Sequence, residues 1–289
     1  MGMPTGIGII DTMVGFPSRN RKEVYRFLAP HLRDRESLEE FRFPAEYLFK
    51  DVPPDLEDDV DPVAVVLDNL DRFGIEKAMV GVGPGRDDAL RALKDHPDRF
   101  IPSAAVDPND GMDAVRFLVE MSETHGIRAA TTFPAGAQVP INDKRYYPIY
   151  AKCVELDIPI FVCAGVPGPR VPMAPQKVEL IDEVCWFFPE LRFVMRHGAE
   201  PWTDLAVKLM LKWPNLYYST SAFAPKHYPK AIIDYANTRG ADKIIYAGYF
   251  PAGLTYDRIF DELPHVPFRD EVWPKFLREN AARVLRLDT

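Results

Sequence analysis

The side chains best suited to handling a small molecule are His197, Cys163, Tyr249, Asp11, Arg128, Thr131 and Ser219. An imidazole titrates near neutrality, so His197 is the candidate general acid/base. Cys163 falls on the preceding apolar run. A thiol beside an imidazole forms a nucleophile–base pair in which the thiolate is favoured. The Tyr249 phenol can donate a hydrogen bond to a substrate oxyanion, and Arg128 can hold a carboxylate through a bidentate pair. Thr131 and Ser219 offer hydroxyls, and Asp11 closes the first apolar run as a further substrate contact. By strand alternation Arg196 points away from His197, toward the helices. His31, His96, His125, His227 and His265 fall in loops, at helix ends or in an inserted segment, and none is assigned a catalytic role.

These residues need elements that bring them together. Short apolar runs read as buried strands: Gly6–Thr12, Lys77–Val82, Phe100–Val106, Gly126–Phe133, Pro159–Ala164, Arg192–His197, Leu216–Ser219 and Lys243–Ala247. Between them lie segments of helical periodicity. These are Pro62–Phe73, Arg86–Lys94, Gly111–Thr124, Tyr146–Leu156, Val178–Phe187, Trp202–Lys212, Pro229–Thr238 and the closing Trp273–Leu285. Continuous apolar strands alternating with helices indicate a parallel sheet covered on both faces. This many such units in 289 residues predict a single α/β domain, a (β/α)₈ TIM barrel spanning 1–289. Residues 18–60 interrupt it after the first strand, ending in the acidic stretch Asp51–Asp61. That insertion reads as a lid over the barrel mouth or as an interface segment. Catalysis in such barrels sits at the C-terminal strand ends, where most of the candidates fall. The aromatic cluster Trp186, Phe187 and Phe188 reads as helix-to-barrel packing.

Composition narrows the function classes. Hydrophobic residues make up 47% and charged residues 27%, a globular balance. The net charge of -8 argues against general nucleic-acid binding, which needs a basic footprint. The 3 cysteines include no CxxC pair, so neither a disulfide framework nor a usual structural zinc site is expected. No apolar stretch is long enough to span a membrane. No basic stretch leads into a long apolar run at the N-terminus, and a cytoplasmic location is the expectation. The glycine-rich Gly81–Gly85 carries a proline and lies in the second unit, so no nucleotide cofactor is expected there.

Several phrases resemble the amidohydrolase-2 family, which includes aminocarboxymuconate semialdehyde decarboxylase and resorcylate-type decarboxylases. They are Ile10-Asp11-Thr12-Met13-Val14-Gly15, Phe73-Gly74-Ile75-Glu76-Lys77-Ala78, His96-Pro97-Asp98-Arg99-Phe100 and Tyr147-Pro148-Ile149-Tyr150. Further on come Ile158-Pro159-Ile160-Phe161-Val162, Phe193-Val194-Met195-Arg196-His197-Gly198, Ile244 to Pro251 and Asn280 to Leu285. The resemblance implies a first strand ending in a metal-binding His-x-His pair, but Met13 and Gly15 stand at those positions. The family's strand-five histidine matches Cys163, its strand-six histidine matches His197, and its strand-eight aspartate matches Tyr249. A thioether is a poor zinc ligand and glycine has no side chain, so the three-ligand minimum of a catalytic zinc is not met. No metal and no cofactor are therefore expected. An alternative ligand set of Asp11, Cys163 and His197 would need the three to converge.

The resemblance then implies a diverged, metal-independent lyase or hydrolase for a small carboxylated or phenolic compound bound in the barrel mouth. The alternative is a non-catalytic homologue, serving as a partner subunit or small-molecule binder. The family's habit of dimerising implies a homodimer or a complex with another subunit.

Overall fold

A computed structural model describes residues 2–50 and 52–287. The strands are β1 (Ile9–Asp11), β2 (Ile75–Val82), β3 (Phe100–Ala105), β4 (Ala129–Thr132), β5 (Ile160–Cys163), β6 (Phe193–Arg196), β7 (Leu216–Ser219) and β8 (Ile244–Ile245). They form one 8-stranded parallel sheet in sequence order. Backbone contacts beyond the strands bring its two edges together. Thr12 N donates to Tyr246 O at 3.3 Å, Gly15 N donates to Phe250 O at 2.8 Å, and Val14 bridges Phe250 in parallel. The result is a TIM barrel, as the alternation of apolar runs and helices requires.

Alternation along the strands sorts side chains into two cores. Ile10, Met79, Ile101, Ala129, Phe161, Val194, Tyr217 and Ile245, one from each strand, pack together inside the barrel. Ala281, Ala282, Val284 and Leu285 of the last helix join this cluster and plug it from below. The opposite strand faces pack against the helices. Each of the larger buried side chains contributes roughly 1.5–3 kcal/mol.

Local chemistry sets the helix ends. The Asp61 side chain accepts from Val63 N and Pro62 opens the helix Pro62–Arg72. Gly126, at φ 61°, ends Met112–His125 in the left-handed region. A helix over Tyr256–Glu262 was not expected; its Thr255 cap accepts from Arg258 N. Trp186 and Phe187 are exposed rather than packed on the barrel, whereas Phe188 packs against the core.

Residues 18–60 fold as short helical turns, Arg21–Val24, Arg26–His31, Glu36–Glu40 and Glu46–Leu48. Leu28 and Phe43 anchor them as buried residues. Tyr47 Oη donates to Gly168 O at 2.9 Å, and Arg170 Nη1 meets Asp34 Oδ2 at 2.6 Å and Glu36 Oε2 at 2.7 Å. On the far side Phe49 stacks on Tyr249, and Arg21 donates to Ala252 O. A Cβ on Gly253 would stand 2.7 Å from the Phe49 ring, so glycine lets the insertion approach the segment after β8. In the acidic stretch Asp55, Glu57, Asp58, Asp59 and Asp61 are solvent-exposed, and Asp51 lies outside the described residues. Among the described residues no helix is long and apolar enough to cross a membrane.

Candidate active site

A cleft of about 2240 Å³ opens at the C-terminal ends of the strands, walled on one side by residues 18–60. Its deep wall carries Thr12, Ser103, Thr131, Cys163 and Arg196, one strand repeat above the apolar interior cluster. Small residues such as Gly81 keep this level open.

His197 follows β6 and is half-buried at the cleft. Its backbone is left-handed, with φ 63°. Its Nδ1 lies 3.1 Å from Ser221 Oγ, which also accepts from His197 N at 3.2 Å. Its ring meets the Tyr249 ring edge to face, with centroids 5.3 Å apart. Burial, and then the Arg196 charge, push its pKa down to about 3, so the imidazole is neutral at physiological pH. Tyr249 also has a positive φ, 65°, and stacks on Phe49 at 5.8 Å. Burial raises its pKa, so it remains a phenol. Non-glycine residues in the left-handed region are uncommon, and two of them carry the rings that line this cleft.

Cys163 is buried on the cleft wall, and burial pushes its thiol up to about 11. Among the described residues no hydrogen bond joins it to His197, whose Nδ1 is engaged by Ser221 instead. The expected nucleophile–base pair is therefore not assembled. Thr131 lines the cleft, two residues beyond inward Ala129.

Three expected contacts lie elsewhere. Asp11 is fully buried between β1 and the segment after β8. It accepts from Met13 N at 2.9 Å, Gly248 N at 2.9 Å and Tyr256 Oη at 2.9 Å, and it does not line the cleft. β1 ends at Asp11 and the chain bends at Thr12, so Asp11 and Met13 do not share a face. Burial, unrelieved by any cation, raises the Asp11 pKa to about 6. Arg128 is exposed just before β4, at the opposite end of the barrel, where it reaches Arg286 O at 3.5 Å. Ser219 is buried with an unpartnered Oγ and is not on the cleft wall. The alternative metal set of Asp11, Cys163 and His197 does not converge. Among the described residues no three His, Cys, Asp or Glu side chains group as metal ligands.

Arg196 corrects the alternation argument. It lines the cleft rather than the helix layer, and its Nη2 contacts Met13 Sδ at 2.6 Å. Val194 faces the barrel interior, so Arg196, two residues on, faces inward as well. His197 lies past the strand end, and its left-handed turn brings a second, adjacent side chain to the same cleft. Parity runs from Val194, inside the strand, and not from His197, beyond its end.

The strand order and the cleft at the strand ends define a (β/α)₈ barrel of the kind that carries its chemistry on its upper rim. The chain belongs to the amidohydrolase family, whose model matches residues 31–287. Solved structures support the fold. An uncharacterised TIM-barrel protein from Bordetella bronchiseptica superposes with a TM-score of 0.71 at 22% identity, covering 97% of this chain and 99% of that one. A 5-carboxyvanillate decarboxylase from Novosphingobium aromaticivorans, complexed with manganese and 4-hydroxy-3-methoxy-5-nitrobenzoic acid, gives 0.70 at 17% identity, covering 98% and 97%. A 2,6-dihydroxybenzoate decarboxylase from Rhizobium gives 0.65 at 17% identity, covering 98% and 99%. No curated protein sequence matches the chain.

Proposed function

We propose that this protein is a metal-independent lyase or hydrolase acting on a small carboxylated or phenolic compound, with His197 as its acid/base. The observation that carries the reading is the setting of His197. Ser221 engages Nδ1, Tyr249 flanks the ring, and among the described residues Nε2 has no hydrogen-bond partner. In the tautomer with the proton on Nδ1, donated to Ser221 Oγ, Nε2 offers its lone pair to a bound molecule. The Tyr249 hydroxyl orients the substrate oxygen, and Thr131 contributes a second hydroxyl to the wall.

The donor set does not fit a divalent cation. A thioether, a glycine, a buried thiol and a phenol stand at the family's ligand positions. The Arg196 guanidinium, in contact with Met13, adds a like charge at the same place. Two of the decarboxylases among the solved structures act by name on carboxylated phenols, which makes that substrate class the first to test. Residues 18–60 serve as the lid in this reading, since Phe43, Tyr47 and Phe49 line the cleft. The homodimer implied by the resemblance is checked by sedimentation.

The test is turnover of a hydroxybenzoate panel by protein kept in EDTA, followed by chromatography. Wild type forms product, and His197→Asn lowers the rate by about 100-fold. Asparagine tolerates the left-handed backbone at this position. Equal rates for the two proteins overturn the role of His197.

A second reading, a small-molecule binder, is favoured by one observation. The two groups best suited to attack are both shifted away from neutral reactivity, His197 down to about 3 and Cys163 up to about 11. Saturable binding across the same panel with no product identifies it.

A further inference from the structure

We infer that Arg196 is a carboxylate anchor that selects planar monocarboxylic acids for this cleft, its guanidinium standing where related barrels would present metal ligands. The inference rests on the reading that this cleft is the ligand site, and it names the ligand class and the residue that chooses it.

Arg196 is 8% exposed. Among the described residues its Nε has no hydrogen-bond partner, and its Nη2 contacts the Met13 sulfur, a weak acceptor. Among the described residues no carboxylate pairs with it. Asp11, the buried acid that ends β1, is consumed by Gly248, Met13 and Tyr256. Arg21, the other buried arginine, contrasts with it. Arg21 donates to Pro53 O at 2.6 Å and to Ala252 O, and lies over the Phe43 ring. Arg21 is satisfied and Arg196 is not.

A buried guanidinium cannot neutralise itself at any physiological pH, so an unpaired one is costly unless an anion completes it. Its planar fork of N–H donors matches a carboxylate with two parallel bonds. One buried cation balances one charge, which favours a monocarboxylate over a phosphate monoester. The surroundings fit the rest of such a molecule. Cys163 and Met79 supply apolar wall, Thr131 and Ser103 supply hydroxyls, and the rings of Tyr249 and Phe49 flank the entrance.

The experiment is calorimetric titration of the intact chain with benzoate and with its neutral isostere benzamide. It compares wild type, Arg196→Met and Arg196→Lys. Methionine fills the buried volume without a charge. Wild type should bind benzoate at least about tenfold more tightly than benzamide. Arg196→Met should lose that preference, and Arg196→Lys should keep part of it. Equal binding of benzoate and benzamide to wild type overturns the inference, as does undiminished benzoate binding by Arg196→Met. If Arg196→Met does not fold, the wild-type ratio of benzoate to benzamide alone decides. Arg196-dependent binding without turnover of any compound leaves this inference standing while the enzymatic reading fails. Turnover that is indifferent to Arg196 does the reverse.

Discussion

Arg196 and His197 are adjacent in the chain, yet both side chains line the same cleft. Arg196 ends β6 on the inward parity of Val194, and His197 turns into the left-handed region at φ 63°. The arrangement sets a cation beside an imidazole; burial first, and then that cation, holds the imidazole neutral. It gives a barrel mouth a fixed positive charge from the chain itself.

Asp11 and His197 give stability slopes of opposite sign. Burial raises the Asp11 pKa from 3.8 to about 6, so between those values the native chain keeps a proton the unfolded chain has released. Stability then falls as pH rises. His197 is lowered from 6.5 to about 3, so below 6.5 the unfolded chain takes up a proton the native chain refuses, and stability falls as pH drops. Each slope is at most about 1.4 kcal/mol per pH unit, and they oppose each other from about pH 4 to about pH 6. Asp11→Asn should therefore gain stability as pH rises through that window, and His197→Asn should lose it. Urea midpoints across the window check this; parallel profiles for the two variants contradict it.

Every cysteine is buried, and burial raises Cys163 to about 11 and Cys153 and Cys185 to about 12. At pH 7 roughly one Cys163 in 10⁴ is a thiolate. Native protein should react with an aromatic disulfide reagent only on unfolding, when all 3 thiols appear. Cys163→Ser should retain turnover within about threefold. Rapid labelling of one native thiol, with loss of activity, would restore the nucleophile reading.

Tyr249 lines the cleft, and its ring packs on Phe49 and His197. Tyr249→Phe should preserve that packing and the melting temperature. It should lower turnover by about tenfold, the worth of one hydrogen bond to a substrate oxygen. An unchanged rate would assign Tyr249 to packing alone.

The insertion is held to the loop after β5 by Arg170, which grips Asp34 and Glu36 and lies over the Phe41 and Tyr47 rings. Arg170→Ala should speed proteolysis and amide exchange within residues 34–48 several-fold and raise KM. The barrel's own exchange should stay unchanged. Uniform loosening of barrel and insertion would contradict a lid that opens independently.

Most of the barrel was legible because apolar strand runs and helical periodicity recur in order, with Gly and Pro between them. The helix Tyr256–Glu262 is only 7 residues long, too short for a clear helical periodicity. The candidate site was partly legible. Thr131, Cys163, His197 and Tyr249 all reach the cleft wall. Asp11 does not, because its strand neighbour Ile10 faces the barrel interior and alternation turns Asp11 the other way. Arg128 precedes its strand rather than following it, which sends it to the opposite end. Arg196 faces the cleft, although alternation from His197 points it away, because the His197 backbone has already left the strand. Positive φ at a histidine is a tertiary fact that local sequence does not announce.

The most direct test of a cleft organised by Arg196 and His197 without a metal is the metal content of purified, untagged protein. Elemental mass spectrometry is run before and after incubation with zinc and with manganese. The donor set predicts less than about 0.1 metal per chain in each case, since a catalytic zinc needs about three ligands. A tightly held ion near one per chain would contradict it.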